Sequence, residues 1–166
     1  DLVGGTVVEC NTAYAGARNT TEKHRALMRE HKWSDFFDVD IMDEKEDMTL
    51  TVPNGKIIKE NYVGKNLENY DSMLVLSHFK GHPMGGYGGA LKQLSIGFAS
   101  SKGKRYIHCV GKEDGTYEDM FKVDQIKFLE SMADAAKSVT DYFKGNTVYI
   151  NIMCNISRDC DCCKIA

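Results

Sequence analysis

The segment 122–143 constrains the fold more than any other. Val123, Ile126, Leu129, Met132, Ala133, Ala136, Val139 and Phe143 recur at helical spacing, and Lys144 with Gly145 closes the run. Such a stripe marks an amphipathic helix that must lay its apolar side against a partner. Directly after it, 147-TVYINIM-153 is rich in β-branched and aromatic residues and reads as a strand. Earlier, 73-MLVLS-77 is short, aliphatic and flanked by turn residues, the pattern of a buried central strand in a parallel sheet. Residues 5–9 read as a further strand, and 10–19 as the loop that leaves it. A helix is expected from Asn19 or Thr20 to about His31, with Asn19 and Glu22 spaced as a capping box. The acidic stretch 36–47 carries a short apolar run, a strand end leading into a surface loop. In 48-MTLTVPNGKIIKENYV-63, Pro-Asn-Gly sits between two strand-like stretches and predicts a hairpin. Residues 90–100 have a helical pattern, and 105-RYIHCVG-111 reads as another strand. Strands alternating with helices predict an α/β class: a layered, Rossmann-like domain with a mainly parallel sheet and a β-hairpin excursion.

A chain of 166 residues suits one domain, and 42% hydrophobic residues with only two prolines fit a packed chain rather than a disordered one. The net charge of −3 supplies no basic field that would favour nucleic acid or an anionic membrane as partner. The longest uncharged apolar runs, 72-SMLVLS-77 and 147-TVYINIMCNI-156, are too short for a membrane helix. With no targeting segment visible, the expected location is cytoplasmic. The first residues already read as a strand and the last as an abrupt 160-CDCCKIA-166, so residues 1–166 are expected to be a segment of a longer protein.

Six cysteines are unevenly placed: Cys10 and Cys109 stand alone, while Cys154, Cys160, Cys162 and Cys163 crowd together. Without a secretion signal, that cluster reads as metal or redox chemistry rather than a disulfide framework. Thiolates favour zinc or iron–sulfur, with Cys160, Cys162 and Cys163 as candidate ligands and Asp161 as a possible oxygen donor. If 160–163 is extended, Cys160 and Cys162 point one way and Cys163 the other, so two or three thiols converge at most. The bland alternative is that some are small buried hydrophobes.

The stretch 77-SHFKGHPMGGYGGALK-92 is the second candidate. A strand, a glycine-rich loop and a helix can turn backbone N–H groups toward an anion. Gly85, Gly86, Gly88 and Gly89 match neither phosphate fingerprint, because the third glycine of a dinucleotide loop would fall on Leu91. The spacing therefore favours a generic anionic ligand near Lys80 and Lys92, with close backbone packing as the structural alternative. His78 and His82 are four apart, but Pro83 disfavours helical geometry at His82. Both then belong at the carboxyl end of a strand, where α/β sheets place ligand sites. His108 and Cys109 either face the same region or lie in the core.

Three segments, 11-NTAYAGAR-18, 76-LSHFKGHPMGGYGGALKQLSIGFASSKGK-104 and 151-NIMCNISRDCDCC-163, together resemble the domain-of-unknown-function 362 family, the uncharacterised Fe–S centre proteins. The resemblance carries over Asn11, Arg18, His78, Lys80, His82, the Gly85–Gly89 loop, Cys160 and Cys162. Many members hold a ferredoxin-like CxxCxxCxxxC insertion after the segment matching Ser100–Lys104, whereas here 105–123 passes directly to the long helix. Three functions follow as expectations. One is a metal or Fe–S-associated redox protein, with His78, His82 and the thiols in one site. Another is a metal-free enzyme that binds a small anionic substrate over Gly85–Gly89, with Lys80 and Arg18 countering its charge. The last is a docking domain for a ferredoxin-like partner that carries the missing module.

Overall fold

The computed structural model of the protein describes residues 4–156. In chain order the elements are β1 (Thr6–Glu9), α1 (Thr21–Glu30), β2 (Asp38–Ile41), β3 (Asp47–Thr51), β4 (Glu60–Gly64), β5 (Met73–His78), β6 (Lys80–His82), β7 (Gly86–Gly88), α2 (Ala90–Lys92), α3 (Ser101–His108), α4 (Gln125–Phe143) and β8 (Thr147–Ile152). A π-helical turn, Gln93–Gly97, continues α2, and the Phe98 amide donates to the Gln93 carbonyl at 3.2 Å. Among the described residues no helix is long and apolar enough to cross a membrane.

The α/β class holds. Strands pair two by two: β1 with β2 and β5 with β8 run parallel, while β3–β4 and β6–β7 are antiparallel hairpins. Among the described residues the parallel strands thus form two separate pairs rather than one continuous sheet. The β5 strand differs from the buried central strand expected of it. Val75 and Ser77 are buried, but Leu74 and Leu76 are 55% and 50% exposed. Their register partners Val148 and Ile150 on β8 are also exposed, so β5 buries one face while its other face and most of β8 stay outward.

Helix α4 is the spine. Its buried face divides between two packed clusters: Ala136, Val139 and Phe143 join Cys10, Leu50, Val75 and Phe98, while Phe128, Met132 and Ala135 join Val52, Ile58, Ile96 and Ile107. The stripe expected from sequence is corrected in its first half, where Ile126, Leu129 and Ala133 are exposed and Phe128 is buried. Asp124 caps its first turn, accepting from the Lys127 amide at 3.0 Å, and Lys144 ends it in the left-handed conformation. The Pro53-Asn54-Gly55 hairpin signal is realised by β3 and β4, with Asn54 at φ 60°. Gly55 is required there, since a Cβ would meet the Ile58 carbonyl oxygen at 2.0 Å. The hairpin connection is tied to α4 by one carboxylate: Asp134 accepts the amides of Lys56, Ile57 and Ile58 at 3.0, 2.6 and 3.0 Å.

Two local expectations are corrected. The cap of α1 is Thr20, whose hydroxyl accepts from the Lys23 amide at 3.4 Å; Asn19 instead meets the Lys23 ammonium. The 105–111 strand is absent, because this stretch lies in α3 and the turn that follows it. Ser100 starts that helix by accepting from the Gly103 amide at 3.1 Å, and Ile107 is fully buried against α4. Capping and tertiary packing outweigh the β propensity of Tyr106, Ile107 and Val110.

Candidate functional site

Four separate pieces of chain meet at one cavity of about 300 Å³. The end of β1 brings Glu9 and Cys10, and the following loop brings Arg18. That loop is closed by the Thr12 amide donating to the Arg18 carbonyl at 2.8 Å. The β5 end and the β6–β7 hairpin bring His78, Lys80, His82, Gly88 and Gly89. Lys92 and the π turn line a third side, and Lys104 with His108, from α3, a fourth. Asp43 holds two of these walls in register, its oxygens accepting the amides of Asn11 at 2.8 Å and Ser101 at 2.9 Å.

The hairpin explains the glycines. His82 Nδ1 accepts from the Gly85 amide at 2.9 Å and the Met84 amide at 3.3 Å, so the ring closes the turn that Pro83 begins. Gly86 stands at φ 74°, where a side chain would be strained, and Gly85 lies against the His82 ring. Gly88 lies beside two cations, where a Cβ would make ordinary van der Waals contact with the Lys80 stem at 3.4 Å and Lys92 at 3.9 Å. A Cβ on Gly89 would meet the Asn151 side-chain oxygen at 2.9 Å. That same oxygen accepts from the Ala90 amide at 3.0 Å. A protein side chain therefore occupies the start of the short α2 helix, and the cations lie inside the cavity instead.

The electrostatics are one-sided. Arg18, Lys80, Lys92 and Lys104 all line the cavity, against Glu9 as the single acid among the described lining residues. Burial, then the charges of Lys80, Lys104 and Arg18, pull the Lys92 ammonium down to about 8. Lys104 is only 7% exposed, and burial lowers it too; its ammonium donates to the Ala99 carbonyl. Lys80 is lowered by burial and by Arg18. Burial raises Glu9, opposed by Arg18 and Lys104. His82 is lowered to about 4, first by burial and then by Lys92, His108 and Lys80. Burial pushes the Cys10 thiol up to about 12, so it is a protonated wall rather than a nucleophile.

Arg18, Lys80, Gly88, Gly89, His78 and His82, named from sequence, thus come together at the cavity. Asn11 sits beside it as a latch: its side chain donates to Thr21 at 3.0 Å and faces His24 Nδ1 at 3.3 Å. Glu9, Lys104 and His108 complete the walls. Read as a helix, 101–108 would have put Lys104 and His108 four apart on one face. Cys160, Cys162 and Cys163, with Asp161, lie outside the described residues. Among the described residues no group of three His, Cys, Asp or Glu side chains is placed to hold a metal ion. His82 Nδ1 is taken by the turn, and His78 Nε2 lies 2.6 Å from the Cys154 carbonyl. The described donors therefore do not fit a metal or Fe–S centre on their own.

The chain belongs to the family described as Domain of unknown function (DUF362), whose profile matches residues 2–166. Neither a curated protein nor a solved structure matches it.

Proposed function

We propose that the cavity binds a small anionic ligand, of carboxylate or phosphate type. The observation that carries this is the convergence of Arg18, Lys80, Lys92 and Lys104, from four different segments, on a space with a single described acid. Charges held in a half-buried site cost free energy: burial is the main cause that lowers Lys80, Lys92 and Lys104, and neighbouring cations add to it at Lys80 and Lys92. A fold keeps such an arrangement stable most readily when an anion offsets it, and perturbed groups gathered in a cleft mark a functional site. The lysine and arginine charges hold the ligand, and the π turn with Gly88 and Gly89 shapes the space around it.

The test is calorimetric titration of the purified chain with malate, succinate, inorganic phosphate and glycerol 3-phosphate. Saturable binding of at least one, weakened at least about tenfold by Lys92→Gln, is the expected result. No binding by any of them, in protein whose circular dichroism shows it folded, would remove this reading.

A further inference from the structure

Of the three histidines that line the cavity, His82 and His108 are held with opposite hydrogen-bonding polarity. His82 uses Nδ1 to accept two amides, from Gly85 at 2.9 Å and Met84 at 3.3 Å. In its neutral ring the proton therefore sits on Nε2, which is a donor. His108 Nδ1 lies 2.6 Å from the Lys104 carbonyl oxygen. A carbonyl only accepts, so Nδ1 carries the proton and Nε2 offers a lone pair. The imidazole of His108 is also fixed in plane by the Phe128 ring, with centroids 5.0 Å apart and an interplanar angle of 31°. Each ring is thus pinned by main chain at Nδ1, with no hydrogen bond at Nε2 among the described residues.

Around this pair stand cations that only donate. Lys80, Lys92, Lys104 and Arg18 can satisfy oxygens bearing negative charge but can accept nothing from a ligand. His108 Nε2 differs from all of them. A ligand with acceptors alone would leave that lone pair without a donor, whereas a ligand with a hydroxyl beside its charge would meet it.

We propose that the ligand is a hydroxylated oxyanion. Its charged group faces Lys80, Lys92 and Arg18, His82 Nε2–H donates to one of its oxygens, and its hydroxyl donates to His108 Nε2. This deepens the anion-binding reading and rests on it. Burial lowers both rings, so each stays neutral near pH 7 and keeps the polarity its main-chain partner imposes. Beside the Glu9 carboxyl group, which also accepts, His108 is then the ring that selects the hydroxyl, while the lysines and Arg18 recognise charge without distinguishing what stands next to it.

Two isosteric pairs separate carboxylate from phosphate sources: malate against succinate, and glycerol 3-phosphate against propyl phosphate. In at least one pair the hydroxylated member should bind at least about tenfold more tightly, because a site built around a hydroxyl rejects the analogue that lacks it. His108→Phe, which keeps a ring against Phe128, should erase the difference within that pair. Equal affinities within both pairs would overturn this inference while leaving the anion pocket standing. No binding of any of the four, nor of inorganic phosphate, would overturn both. Independently, long-range ¹H–¹⁵N correlation spectra should find His108 protonated on Nδ1 and His82 on Nε2. The reverse tautomer at His108 would sink the assignment whatever the binding results.

Discussion

The hairpin side of α4 and the cavity side of the molecule treat polar groups in opposite ways. On the hairpin side, charge is matched to need: Asp134 meets three amides, and the Asn61 amide group donates to Ser138 at 3.0 Å and to the Ala135 carbonyl at 3.3 Å, leaving the uncharged Asn61 oxygen without a hydrogen-bond partner among the described residues. Around these bonds Val52, Ile58, Phe128 and Met132 are almost fully buried. On the cavity side four cations share one space, and burial pulls three lysines below their ordinary range. The first region is arranged for stability, and the second keeps an arrangement that costs stability. Functional sites commonly sit where local rules are broken in this way.

The contrast can be broken by substitution. Met132→Ala, in the packed half, should lose about 2–5 kcal/mol of stability by urea unfolding, with anion affinity unchanged in the protein that remains folded. A smaller loss, near that of a surface change, would mean this cluster is loosely packed. Asp134→Ala should cost about 2 kcal/mol by removing one carboxylate from three amides, and hydrogen exchange should speed at Lys56, Ile57 and Ile58 before it speeds elsewhere. On the other side the sign reverses. Lys92→Met should raise the unfolding free energy by about 1 kcal/mol, because it removes one of several like charges from a half-buried site, while weakening anion binding. A destabilised Lys92→Met would erase the distinction between the two regions.

Two pH windows sharpen the same contrast with smaller effects. Lys92 titrates near 8 in the folded chain, so anion affinity should decline as pH rises through about 8, and Lys92→Gln should abolish that step. In the acid range, His24 and His82 are both lowered to about 4 by burial, against an ordinary value of 6.5. Between those values the unfolded chain binds more protons than the folded one, so stability should fall as pH drops from 6.5 toward 4. His24→Gln should flatten part of that slope, as followed by thermal unfolding across the range. An unchanged slope would place the acid sensitivity elsewhere.

The sequence disclosed the packed region better than the cavity. Helix α4, the hairpin and β8 rest on local signals, namely a 3.6-residue period, a Pro-Asn-Gly turn and a β-branched run, and these survive folding because nothing opposes them. The 105–111 stretch misled because Tyr106, Ile107 and Val110 prefer strands in isolation, whereas the Ser100 cap and the burial of Ile107 decide the matter. That one misreading hid Lys104, while His108 could be placed from sequence only as facing this region or lying in the core. His78, Lys80, His82, Gly88, Gly89 and Arg18 were legible as chemistry-bearing residues. A shared site for Arg18, Lys80 and the glycine loop was among the expectations, but its walls were not, since they depend on how β1, the hairpin and α3 are held together, partly by Asp43. Nothing in the local pattern around Asp43 announces that its two oxygens tie Asn11 to Ser101.

The π turn at Gln93–Gly97 can be restated in terms of helical phase. A π turn holds one residue more than the α-helical turn it replaces, so it shifts the angular position of everything after it by about 100°. Gln93, Ile96 and Gly97 reach the cavity from this turn, while Leu94 enters the apolar core. Removing one residue here would let an ordinary helix re-form and rotate one of those two sets out of place. The spare residue therefore allows one short stretch of chain to serve a greasy interior and a charged hollow at once.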